Sequence, residues 1–124
     1  MQQKYSNIKS RSKKIPKKYT FTHEGLIIRP ALDAKEIVLE GRMLHHCVGS
    51  DNQHYLKDFN AGKGWIMVIR DIKAPDTPYI TVELKNDKIM QWYGEHDTKP
   101  DKEIIEEFLK EYKKHIDKKV RKTA

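Results

Sequence analysis

Hydrophobic positions along this chain change their period several times, and each change marks an element. Tyr19-Thr20-Phe21-Thr22 alternates and reads as the start of an edge strand, and Leu26-Ile27-Ile28 is a short apolar run closed by Pro30. Asp33 then has the form of a helix N-cap, with Glu36 three residues on as in a capping box. Ala34, Ile37, Val38, Gly41, Leu44 and Val48 follow at helical spacing and give that helix one apolar face. Gly49-Ser50-Asp51-Asn52 is a turn, and Gln53 to Asn60 reads as a short second helix stopped by Gly62 and Gly64. The period then falls to two. Trp65 to Arg70, Tyr79 to Leu84 and Ile89 to Tyr93 are strand-like, and Lys85-Asn86-Asp87-Lys88 between the last two has hairpin composition. Thr98-Lys99-Pro100-Asp101 opens a final helix, on which Ile104, Ile105, Phe108, Leu109, Tyr112 and Ile116 form one stripe. The order predicts an α+β domain: an antiparallel meander of three to four strands, covered by a helix from the N-terminal half and a long C-terminal amphipathic helix.

Composition narrows the class. The chain has 124 residues, the size of one domain, with a single cysteine, Cys47, and so no internal disulfide framework. Its longest apolar run is Trp65 to Ile69, far short of the roughly 20 residues of a membrane span. The N-terminus is polar and has no apolar signal region, so cytoplasm is the expected location and no membrane partner is expected.

The net charge of +7 is unevenly spread. Residues 1–20 carry seven of the 25 basic side chains and no acid, and residues 113–124 carry six more against Asp117 alone. Residues 21–112 therefore hold 12 basic and 17 acidic side chains, a net of −5. Residues 1–20 read as a disordered basic arm, 21–119 as a single domain and 120–124 as a basic tail. Such termini attract polyanions without reading sequence, which makes Lys13, Lys14, Lys17 and Lys18 candidate nucleic-acid contacts.

Two clusters could carry chemistry. Leu44-His45-His46-Cys47-Val48-Gly49 places two histidines and the cysteine near a helix end. A helix C-terminus favours an imidazolium and disfavours a thiolate, so His46 is the candidate acid or base and Cys47 a small buried hydrophobe. His45, His46, Cys47, His54 and His96 lack metal-ligand spacing, since adjacent helical residues diverge by about 100°. Neither a metal nor a cofactor is expected. The second cluster is on the sheet, where Thr81 and Glu83 share one face and Ile80, Val82 and Leu84 the other. A strict two-residue turn at Asn86-Asp87 would set Glu83 against Met90, whereas one extra residue would bring Glu83 and Gln91 together. Past the last strand, Gly94-Glu95-His96-Asp97 leads to the N-terminus of the final helix, a place suited to an anion.

Four pieces in this order resemble the PcfJ-like domain: Leu44-His45-His46-Cys47-Val48-Gly49, Gly64 to Arg70, Pro78-Tyr79-Ile80-Thr81-Val82-Glu83, and Gln91-Trp92-Tyr93-Gly94-Glu95-His96. That family shows an L-x-H-C-V-G element, an apolar strand ending in Arg, a P-x-x-T-x-E strand and a Q-x-x-G element. The resemblance spans roughly residues 25–116 and implies a polar signature at His46, Cys47, Arg70, Thr81, Glu83 and Gln91. His96 stands where many relatives are expected to have Asn. Many members carry a long N-terminal region ahead of this domain, where this chain has its basic arm. The family is linked to plasmid transfer and phage genomes.

The resulting expectation is a nucleic-acid-associated protein of a mobile element. If it is an enzyme, it is a metal-independent one acting on phosphodiesters or nucleotides. His46 would be its acid or base, Arg70 its charge stabiliser, and Glu83 with Gln91 its orienting groups, with His45, Thr81, His96 and Tyr93 as ligand contacts. The alternative is a non-catalytic interaction module, a phage-encoded inhibitor or a transfer-machinery adaptor, binding a host or transfer protein.

Overall fold

A computed structural model describes residues 7–44, 59, 61–95 and 98–123, without the side chains of 119–123. The chain runs α1 (Asn7–Lys14), a 3₁₀ turn (Lys17–Tyr19), β1 (Phe21–His23), β2 (Leu26–Pro30), α2 (Ala34–Met43), β3 (Trp65–Asp71), β4 (Ile80–Lys85), β5 (Lys88–Tyr93) and α3 (Lys102–Thr123). The strands form one sheet in the order β1-β2-β3-β4-β5, each pair antiparallel. The class is α+β as expected, but the meander has five strands rather than three or four. Both N-terminal strands join it because a two-residue turn, Glu24-Gly25 at φ 50° and 81°, folds β1 back on β2. Asn86-Asp87, at φ 52° and 64°, does the same for β4 and β5. Two successive positive φ angles match the twist of an antiparallel pair, and Gly, Asn and Asp tolerate them best.

Each face of the sheet is covered by a helix. Ile28, Met67, Ile69, Ile80, Val82, Leu84 and Trp92 pack against α3 through Ile105, Phe108, Leu109, Tyr112 and Ile116. At about 2 kcal/mol per buried side chain, those five helical residues contribute roughly 10 kcal/mol before the opposing chain entropy. Ile104 departs from the expected stripe and is 61% exposed. Ile66 and Val68 point to the opposite face, where Ala34 and Ile37 of α2 meet them together with Ile8, Ala31 and Phe59. Gly94 permits the return from β5 to α3, because a Cβ there would lie 2.6 Å from Pro100 Cγ.

Two boundaries differ from expectation. Residues 7–19, expected within a disordered arm, are helical in part and pack on the domain through Ile8 and Tyr19, both buried. A few well-placed apolar side chains hold a segment that is polar on average. At the other end α3 continues to Thr123, through most of the expected tail. The cap prediction holds: Asp33 Oδ1 accepts the Glu36 N–H at 2.9 Å. α2 ends at Met43, and its expected continuation to Val48 lies outside the described residues, as does most of the helix expected over Gln53–Asn60. No helix among the described residues is long and apolar enough to cross a membrane.

Candidate functional site

The register across β3, β4 and β5 decides which polar side chains meet. Val68, Thr81 and Tyr93 lie in one row, and Ile66, Glu83 and Gln91 in the next. The two-residue turn pairs Lys85 with Lys88 and Leu84 with Ile89, after which the register shifts between Glu83 and Leu84. Met90 is the extra residue and faces solvent. Without that bulge Gln91 would turn into the α3 core beside Val82. Of the two registers open from the sequence, the structure adopts the one that joins Glu83 to Gln91.

This polar row lies on the α2 face of the sheet, and α2 reaches down to it. The stripe Ala34, Ile37, Gly41, Leu44 carries Glu40 on its buried flank. Glu40 Oε1 accepts from Arg70 Nη2 at 2.6 Å, and Oε2 accepts both from Arg70 Nη1 and from the Thr81 hydroxyl, each at 3.0 Å. The two charged side chains are 0% and 3% exposed. One turn earlier Glu36 makes a similar fork with Arg29 of β2, at 2.8 and 3.0 Å, and also takes the Leu32 N–H. Burial pushes the Glu36 carboxyl up, but Arg29 and the Leu32 N–H outweigh it and hold it below the usual range. Two Arg–Glu forks therefore fasten α2 across β2 and β3.

This arrangement corrects the role expected for Arg70. Both of its Nη groups are spent on Glu40, and its buried Nε has no partner among the described residues. It cannot turn a charge toward a ligand without leaving Glu40 unpaired in the interior, which would cost about 3–5 kcal/mol. Thr81, expected as a ligand contact, is buried and donates to the same carboxylate. Glu83, Gln91 and Tyr93 are half-buried, and each has an interaction partner. His45, His46, Cys47 and His96 lie outside the described residues, so convergence of His46 and His96 with Glu83 and Gln91 has no structural description. Among the described residues no group of three or more His, Cys, Asp or Glu side chains is placed to hold a metal. Glu40 is the residue that sequence reasoning missed. Its signal was an acid within the buried arc of a helix, which demands a buried base.

A different kind of site forms where the chain's basic segments meet. The Tyr19 hydroxyl donates to Asp87 Oδ1 at 2.6 Å, and the Tyr112 hydroxyl donates to the Tyr19 carbonyl at 2.7 Å. Lys113 Nζ donates to the Asp87 carbonyl at 2.9 Å. Burial and the Asp87 carboxylate push the Tyr19 phenol up to about 12. These bonds tie the N-terminal segment, the β4–β5 turn and the second half of α3 together. On the N-terminal segment Lys13, Lys14 and Lys17 are exposed, and Lys18 lies over the Tyr19 ring. The helix α3 is itself polarised, with Glu103, Glu106 and Glu107 early and Lys110, Lys113, Lys114 and Lys118 late, which complements its dipole.

The fold is thus an α+β sheet with helices on both faces, a charged clamp under α2 and a basic end at its last hairpin. The PcfJ-like protein family model matches residues 1–109, and the chain belongs to that family. An uncharacterized protein of Listeria innocua, Lin1253/Lin1744, is 36% identical over 73 residues, which is 59% of this chain and 16% of the Listeria protein. The chain thus matches a small part of that relative's length. No solved structure matches it.

Proposed function

We propose that this chain is a cytoplasmic nucleic-acid-associated protein of a mobile genetic element, holding phosphate at its basic end. The observation that carries the reading is that Tyr19, at the end of one basic segment, and Lys113, at the start of the other, both bond Asp87 of the β4–β5 turn. Lysines release counterions when they meet a phosphate backbone, so binding should fall steeply with salt. The link to a mobile element comes from the family resemblance alone. A processing activity would have to rest on His46, Glu83 and Gln91 without Arg70, and loss of cleavage in a folded His46→Ala variant would reveal it.

Fluorescence anisotropy of labelled DNA and RNA oligonucleotides across a salt series tests the reading. Replacing Lys13, Lys14, Lys17 and Lys18 by Glu should weaken binding and reduce the salt slope by about 0.7–0.9 for each phosphate that is no longer neutralised. An unchanged slope would remove these four from the interface. Absence of salt-dependent binding in the parent protein would end the proposal.

One observation favours a second reading, a protein-interaction module. A groove of about 450 Å³ lies between the β1–β2 turn and the start of α3, lined by His23, Leu26, Phe108 and the exposed Ile104 together with Glu24, Glu103 and Glu107. Apolar side chains alongside three acids suit a basic segment of a partner. Crosslinking through an Ile104→Cys variant should then give one discrete protein adduct, lost on Glu103→Lys/Glu107→Lys; no adduct would count against it.

A further inference from the structure

We infer that the cleft between Gly62–Trp65 and the β4–β5 turn seats one or two nucleotides of a single strand, with Lys63 and Lys85 on the phosphates and Trp65 against a base. The inference rests on the nucleic-acid reading and gives it a site and a substrate class. The cleft is about 450 Å³, within the range of small-ligand sites and too small to admit a duplex. Lys63 and Lys85 line it, both exposed and neither in an ion pair among the described residues. The acid in its wall, Asp87, already accepts the Tyr19 hydroxyl, and Lys113 sits on its carbonyl. Among the described lining residues two lysines therefore stand against one carboxylate, Asp87, and leave the cleft net positive.

Its other walls suit a nucleotide as well. Trp65 is half-buried and braced edge-on by Tyr19, with ring centroids 4.8 Å apart. A ring held in place before binding loses little freedom when a base stacks on it. Gly62 and Gly64 flank Lys63, leaving the backbone bare where a phosphate would approach. Gly62 stands at φ 78°, and a Cβ there would lie 2.7 Å from Arg11 Nη1, so the loop runs close under a further cation from α1. A basic groove with an aromatic wall is the arrangement that binds single strands through stacking and phosphate contacts, with little regard to sequence.

The test uses oligo(dT) of increasing length and a duplex of matched length, followed by tryptophan fluorescence and by anisotropy across a salt series. Trp92, the other tryptophan, is buried beneath Lys99, so quenching reports on Trp65. The single strand should quench Trp65 and bind more tightly than the duplex. Lys63→Glu/Lys85→Glu, both at exposed positions, should keep the far-UV circular dichroism and thermal midpoint. It should weaken binding about tenfold and lower the salt slope by about 1.4. Trp65→Phe, which keeps an aromatic ring in the core, should reduce quenching and weaken binding less. Unchanged affinity and slope in Lys63→Glu/Lys85→Glu, with loss in the N-terminal lysine variant, would overturn the cleft and leave nucleic-acid association standing. Equal duplex binding without quenching would overturn the single-strand assignment. No binding of any oligonucleotide at low salt would remove both.

Discussion

Beneath α2 and beside the β4–β5 turn, the same kinds of side chain are used in opposite ways. Under α2, Arg70 and Glu40 face each other out of water, and Thr81 closes the set. At the turn, Lys63 and Lys85 are exposed, and neither is in an ion pair among the described residues. A charge satisfied internally has nothing left to offer a ligand, while an unneutralised one on a concave surface attracts the opposite charge at a distance. The residues that look most chemical in sequence, an arginine ending an apolar strand and a threonine two before a glutamate, are thus the ones most committed to the fold.

The largest effect should come from breaking the buried pair on one side. Arg70→Ala or Glu40→Ala leaves a lone charge inside and should cost about 3–5 kcal/mol in urea denaturation. Removing the whole set, as Glu40→Leu/Arg70→Met/Thr81→Val, should be far milder, because no unpaired group remains. If the single and triple variants lose equal stability, the clamp is not acting as a closed set.

The neighbouring fork is half-exposed and should be weaker. Glu36→Gln should cost about 1 kcal/mol, since solvent screens the pair. The Glu36 carboxyl is depressed in the folded state, so its contribution is present above the ordinary carboxylate pKa and lost as pH falls below it. The acid side of the stability profile should flatten in Glu36→Gln, and an unchanged profile would count against the fork.

Tyr19 gives a comparable effect with the opposite pH sense. Tyr19→Phe removes the hydroxyl from Asp87 and should cost about 1 kcal/mol. The Tyr19 phenol titrates higher when folded, so that stability is complete below about pH 10 and fades as pH rises toward 12. Alkaline denaturation of the parent chain should therefore shift in Tyr19→Phe. The smallest effect is expected for Lys63→Glu/Lys85→Glu, within about 0.5 kcal/mol per substitution.

How much of this was legible in sequence follows from the range of each interaction. The three-strand meander, the stripe of α3 and the Asp33 cap depend on neighbours within a few residues, and they read correctly. The bulge was legible only as one of two registers, because turn chemistry fixes the turn and not the residue after it. Ile104 read as core, yet it lies at the edge of the helix stripe and faces outward. The N-terminal segment looked too polar to fold, since its average composition hides the placement of Ile8 and Tyr19. Arg70 looked like a site residue because its partner is 30 positions away, on an element whose docking no local pattern reveals.

The most direct test of this division between clamp and cleft is oligonucleotide binding by the folded Glu40→Leu/Arg70→Met/Thr81→Val variant across a salt series. Affinity and salt slope equal to those of the parent chain are predicted, because the clamp meets no ligand. A folded variant that has lost binding would place Arg70 in the ligand site and contradict the account.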